Sequence, residues 1–204
     1  MSYFHLNTAI AVLIAYLTGS ISSAIVTCKI MGLPDPRTQG SGNPGATNVL
    51  RLGGKKAAII TLIGDVLKGV LVVLAAKLYG FDPLALSLIT FAVFLGHIFP
   101  VFFHFEGGKG VATAAGCLIA LAWPVGTSAL VTWLLMAIVF RYSSLAAVVT
   151  ALCAPFYAWY FTHNADYIIL TSAMSLLLLI RHRKNIRNLL AGKEDKIGKK
   201  KSLT

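Results

Sequence analysis

A chain of 204 residues that is 57% hydrophobic and 12% charged, with a mean hydropathy of +0.77, is far more apolar than a soluble domain of its length. That excludes a cytosolic enzyme. The net charge is +11, and no nucleic-acid partner is expected.

A helical crossing takes about 20 apolar residues, at roughly 1.5 Å each, to traverse about 30 Å of hydrocarbon. The apolar runs predict seven, over 5–30, 56–79, 84–103, 110–122, 124–140, 144–162 and 166–180. No Lys or Arg precedes the first, so it is expected to stay as a span and not to be cleaved. Cys28, Cys117 and Cys153 are odd in number and each falls in an apolar run, which suggests neither a disulfide framework nor a metal cluster. Of the 18 Lys and Arg, all but Lys68 and Lys77 fall on one side of the seven spans. By the positive-inside rule that side is cytoplasmic, which puts the N-terminus outside and the C-terminus inside. The expectation is one transmembrane domain, 1–190, followed by a basic cytoplasmic tail, 191–204, with anionic headgroups as the tail's partner.

Three segments on the basic face are more polar than connections need: 34–56, 105–113 and 181–195. The first contains GSGNPGATN (40–48), which satisfies G-x-G-x-x-G through Gly40, Gly42 and Gly45. A dinucleotide site would need a preceding strand and an acidic residue about 20 positions on. Asp65 has the count but lies within an apolar helix, so that reading fails. What remains is a glycine-rich nest with Ser41 and Asn43, followed by Ala46, Thr47 and Asn48 opening a helix that carries Arg51. Amides at a helix N-terminus plus a guanidinium suit a phosphate. Turn-building alone also explains the glycines; the two other basic segments on the same face favour the phosphate.

In the second segment, two crossings share 107–140, roughly 17 residues each, the bottom of the usable range. The EGGKG turn should therefore begin below the headgroups as a short or re-entrant segment, where Gly107, Gly108 and Gly110 let N–H groups converge on an anion. His97 and His104, separated by Pro100, are read as interfacial residues and not as ligands. Asp65 and Lys68, three apart, share a helix face and read as a compensated pair, the alternative being a role in organising the first loop. The seven acidic residues are scattered, so no metal is expected, and no other cofactor.

SGNPGATNVLR (41–51), GHIFPVFFHFEGGKGVAT (96–113) and RHRKNIRNLLAGKE (181–194) closely resemble, in the same order, the three cytoplasmic motifs of the bacterial acyl-phosphate:glycerol-3-phosphate acyltransferases. The resemblance covers essentially the whole chain. It implies an all-α, seven-helix enzyme of the bacterial cytoplasmic (inner) membrane with its active site on the cytoplasmic face. The implied reaction moves a fatty acyl group from acyl phosphate to the 1-hydroxyl of glycerol 3-phosphate, giving lysophosphatidic acid and phosphate, the first step of phospholipid synthesis. Membrane lipids and the upstream enzyme that makes acyl phosphate are the implied partners.

By the same resemblance Ser41, Arg51, Lys109, His182 and Asn185 hold glycerol 3-phosphate and carry catalysis. Gly42, Asn43, Gly45, Thr47 and Asn48 of the first loop, with Gly107, Gly108 and Gly110, are expected around the acyl phosphate. Asp65, Lys68 and Glu194 have supporting places, Glu194 by pairing with Arg51 or a neighbouring base. His182, with an ordinary pKa of about 6.5, suits orienting or deprotonating the attacking hydroxyl, the donor's own phosphate being the alternative acceptor. An acyl phosphate is a mixed anhydride with a good leaving group, so no covalent acyl-enzyme is needed. Two positions depart from the family pattern: Glu106 stands where a basic residue is common, and Asn188 where Arg is. A transporter of small organic phosphates is the rival reading, but it would place its site near the midplane and carry inverted repeats.

Overall fold

The computed structural model describes residues 2–197, with side chains from Leu6 onward, and every regular element among them is helical. The helices are α1 (Ser2–Gly19), α2 (Ser23–Ile30), α3 (Ala46–Tyr79), α4 (Pro83–Ile98), α5 (Val111–Leu121), α6 (Trp123–Phe140), α7 (Ser143–Thr162), α8 (Ala165–Arg181) and α9 (Arg183–Leu190), with one 3₁₀ turn at Val101–Phe103. Lys199, Lys200 and Lys201 of the predicted tail lie outside the described residues.

Most boundaries follow from local chemistry. Asp82 caps α4 by accepting from the Ala85 N–H at 2.8 Å, and Pro83 occupies the first turn, where its missing N–H costs nothing. Asn164 caps α8 by accepting from Tyr167 N at 3.2 Å. α3 bends at Gly54, whose φ of 73° and ψ of −169° suit a residue without Cβ, so its first two turns stand apart from the long apolar stretch after Lys55.

Three predicted spans differ from expectation. The run 5–30 breaks between Gly19 and Ser23 with a 41° bend, and the Ile21 carbonyl freed there accepts from Lys68 Nζ at 3.0 Å. The run 110–122 yields α5, only 11 residues long. Beyond the predicted span 166–180, the chain turns by 60° at His182 into the amphipathic α9, which sets Ile186, Leu189 and Leu190 against Arg183, Lys184 and Arg187. Among the described residues, four helices are long and apolar enough to cross a membrane, or up to six if each bent pair is one span.

α4 is the buried centre. Its Ile89, Val93, Phe94 and Ile98 pack with Ala15 of α1, Val73 of α3, Cys117 and Leu121 of α5, and Met174 of α8. α3 and α5 approach closely because Gly69 and Gly116 face one another's backbones: a methyl on Gly116 would overlap the Val66 carbonyl, and one on Gly69 would come within 2.7 Å of the Thr113 carbonyl. That crossing leaves room between α3 and α6–α7, which are joined at the loop end by a 3.3 Å contact between the Thr47 and Ser143 hydroxyls.

Candidate active site

The three polar segments, far apart in sequence, meet at one end of the bundle. Arg37 ties the first to the second: its guanidinium pairs with Asp35 at 2.7 Å and reaches Glu106 and the Phe103 carbonyl at 3.4 Å each. Glu106, at a position where a basic residue is common, thus serves as a partner for Arg37. Arg181 ties the third to the second by donating to the Gly107 and Gly108 carbonyls at 2.9 and 3.3 Å. Arg51 ties the first to the third through Asp195, at 3.7 Å.

The first loop is organised around Asn48, which is 1% exposed. Its amide donates to the Pro36 and Gln39 carbonyls at 2.8 and 3.0 Å, and its Oδ1 accepts the Ser41 N–H at 2.9 Å. With both amide hydrogens committed inside the loop, Asn48 shapes the nest and does not offer them to a ligand. Gly40, at φ 65°, lies against the Asn48 side-chain Oδ1, where a methyl would collide with it. Gly42 donates its N–H to Gln39 and Gly45 to Asn43, so the glycines build the turn while Ser41, Asn43, Gly45 and Thr47 line the space beside it.

Lys109 is the half-buried cation of the second segment. Its Nζ donates to Asn185 Oδ1 at 2.6 Å, and Asn185 Nδ2 donates to Glu194 Oε1, also at 2.6 Å. The same carboxylate oxygen accepts from Ser144 Oγ at 2.6 Å. Burial lowers the Lys109 pKa to about 8 against the counter-pull of Glu194, with Arg181 and Arg51 lowering it further. His182, 3% exposed at the α8–α9 bend, places Nδ1 2.8 Å from the Leu178 carbonyl. A carbonyl can only accept, so Nδ1 carries the proton and Nε2 is the ring's free acceptor. Burial first, and then Lys109, push its pKa down to about 4, well below the 6.5 of an unperturbed ring.

Ser41, Arg51, Lys109, His182 and Asn185 all line one cavity of about 650 Å³. Away from these residues the cavity continues between α3, α5, α6, α7 and α8, where Leu62, Leu118, Ala129, Leu130, Ala154 and Met174 line it. Such a space takes a ligand with an anionic head and an apolar tail.

Several expectations change. Gly107 and Gly108 are buried against α4, the Gly108 N–H is taken by the His97 carbonyl at 3.1 Å, and of that loop Lys109 and Gly110 line the cavity. Glu194 pairs with Asn185 and Ser144, leaving Arg51 to Asp195. His97 is not interfacial but buried, its Nδ1 3.5 Å from Asp65, which also holds Lys68 at 2.9 Å. Sequence reasoning missed Asp195, Ser144 and Arg181 as parts of the site. Arg181 opens the third motif, and Ser144 follows Arg141 on the basic face, so both had a signal available.

The sequence model of the glycerol-3-phosphate acyltransferase family matches residues 9–192. The chain belongs to the glycerol-3-phosphate acyltransferase family. This family member is 54% identical over 187 residues to the glycerol-3-phosphate acyltransferase of Methylococcus capsulatus, covering 92% of this chain and 94% of that protein. It is 57% identical over 199 residues to that of Ralstonia pickettii, covering 95% and 96%. Its fold is similar to crystal structures of PlsY, an integral membrane glycerol 3-phosphate acyltransferase. The TM-score is 0.89 at 38% identity for the glycerol 3-phosphate form, with 94% of this chain and 96% of that one covered. For the lysophosphatidic acid form it is 0.87 at 37%, with the same coverage.

Proposed function

We propose that this glycerol-3-phosphate acyltransferase takes its acyl group from acyl phosphate and delivers it to the 1-hydroxyl of glycerol 3-phosphate, releasing lysophosphatidic acid and inorganic phosphate. It does so at the cytoplasmic face of the bacterial inner membrane, with α1–α2 as one bent span, α5 as a short seventh crossing, the N-terminus outside and the C-terminus inside. The observation that carries this reading is the continuity of the cavity, which joins Arg51 and Lys109 at one end to an apolar channel at the other. An acyl donor laid along it has its chain among Leu62, Leu130 and Met174 and its phosphate among the cations.

The chemistry divides among the residues at the polar end. Arg51 and Lys109 neutralise two phosphates that would otherwise repel one another, with Ser41 and the start of α3 as further donors. Asn185, oriented by Glu194, presents its amide beside Lys109. His182 Nε2 accepts a hydrogen bond from the 1-hydroxyl; at a pKa of about 4 the ring orients that hydroxyl and does not keep its proton. The hydroxyl oxygen bonds to the acyl carbonyl carbon, the bond from that carbon to the phosphate oxygen breaks, and the proton leaves on the departing phosphate. No acyl-enzyme and no metal are invoked, because the mixed anhydride is already activated. The Asp65–Lys68 pair, facing His97, supports the wall of the site. The enzyme that makes acyl phosphate is the natural upstream partner, since that donor hydrolyses readily in water.

The test incubates purified, folded protein with glycerol 3-phosphate and either acyl phosphate or an acyl thioester, and follows lysophosphatidic acid and phosphate. Product from acyl phosphate alone is expected; product from the thioester alone would overturn the donor assignment.

A further inference from the structure

The loop carrying Lys109 is seated on a side chain that the chemistry above does not use. His97, in the last turn of α4, places Nδ1 3.5 Å from Asp65 Oδ1, and Asp65 is held by Lys68, which also donates to the Ile21 carbonyl at the α1–α2 break. On its other side His97 meets the loop twice. Its carbonyl accepts the Gly108 N–H at 3.1 Å, and its Nε2 lies so near Gly108 that a methyl there would overlap the ring. That same methyl would stand 3.1 Å from the Pro44 carbonyl of the first loop, while Arg181 of α8 grips the Gly107 and Gly108 carbonyls from outside. Gly108 is thus touched by α4, by the first loop and by α8, and Lys109 follows it directly.

We infer that His97, set between Asp65 and Gly108, is a positioning residue that sets where the Lys109 ammonium sits in the cavity. A lysine has a flexible four-carbon stem, so its ammonium is placed reproducibly only if its own backbone is fixed. Misplacement of a catalytic group by about 1 Å can cost about 100-fold in rate. A compensated Asp65–Lys68 pair would need no third partner; the contact to His97 connects that pair to the loop. The inference rests on the reading of Lys109 as a phosphate ligand.

The test is a double-mutant cycle on the full-length protein with one readout independent of turnover. Gly108→Ala alone is expected to lower kcat/KM for glycerol 3-phosphate by about 100-fold. In a His97→Ala background, where the ring is gone, the same change should cost about threefold or less. His97→Asn, which keeps a donor toward Asp65, should retain a wild-type KM, whereas His97→Ala raises KM about tenfold. Lys109 labelling by an amine-reactive reagent, read by mass spectrometry, should accelerate about fivefold in His97→Ala and not in His97→Asn. That labelling works whether or not the protein turns over, so failure of the seat is distinguishable from failure of the acyl-phosphate reading. Equal labelling of Lys109 in the wild type and His97→Ala, or an equal cost of Gly108→Ala in both backgrounds, would overturn the inference.

Discussion

Lys109 and Asn185, 76 positions apart, are joined by a 2.6 Å hydrogen bond in which the ammonium donates to the amide oxygen. The amide nitrogen is bound in turn by Glu194, so Asn185 can face only one way and Lys109 is held where an incoming phosphate would find it. Removing the cation should therefore remove stabilisation of developing negative charge. Lys109→Ala, and likewise Arg51→Ala, are expected to lower kcat/KM by about 10²–10³-fold. Intact thermal transitions with lost turnover would bear this out; near-normal rates for either variant would take that residue out of the site.

Burial that lowers the Lys109 pKa to about 8 gives the reaction a pH dependence with a definite sign. The phosphate-binding form is the protonated one, fully present below pH 7 and lost as pH rises through about 8. kcat/KM for glycerol 3-phosphate should thus decline above pH 8, by up to about tenfold per unit. His182, with a pKa near 4, stays neutral throughout this range and contributes no limb near 6.5. Steady-state rates between pH 5.5 and 9.5 in a constant-ionic-strength buffer, compared with His182→Asn, would check both statements.

Asp195 pairs with Arg51 at a loose 3.7 Å, with both side chains partly exposed. A partly exposed pair of this kind is worth about 0.2–1 kcal/mol, and on the proposed reading of Arg51 as a phosphate ligand a substrate phosphate would compete with it. Asp195→Asn is expected to lower KM for glycerol 3-phosphate by up to about fivefold with kcat unchanged. A rise in KM would mean that the carboxylate helps to shape the site and does not compete for it.

Asn48 satisfies three backbone groups of the first loop from a position with almost no solvent access. Asn48→Ala strands those groups at a cost of about 1–3 kcal/mol for each that stays buried and unpaired. The expected outcome is a lowered thermal midpoint together with loss of activity. Asn48→Asp should do no better, because a carboxylate would face the Pro36 and Gln39 carbonyls with no hydrogen to donate.

The helical course of the chain was legible because bilayer thickness dictates the length of apolar runs, and the runs at 124–140 and 144–162 match α6 and α7 within a residue or so. The break after Gly19 was not, since the group that satisfies the Ile21 carbonyl lies 47 positions away on Lys68. α9 was overlooked, although Ile186, Leu189 and Leu190 recur at helical spacing among Arg183, Lys184 and Arg187. In the site, side chains with unusual chemistry for a bilayer, such as Arg51, Lys109 and His182, announced themselves within their motifs. The glycines did not reveal their tasks: whether the Gly108 N–H faces an anion or a neighbouring carbonyl depends on where α4 ends, which is a tertiary fact.

α5 and α6 share a tight turn at Ala122, yet one has 11 residues and the other 18, so the start of α5 stops about 10 Å short of the end of α6. In the proposed orientation, the lysine loop is thereby sunk toward the level of the ester groups in the surrounding leaflet. On the proposed reaction, the newborn lipid is made at its final vertical register. With Leu62 of α3 and Leu130 of α6 lining the apolar part of the cavity, that reading needs no charged head to be dragged through oil and no tail to be lifted into water.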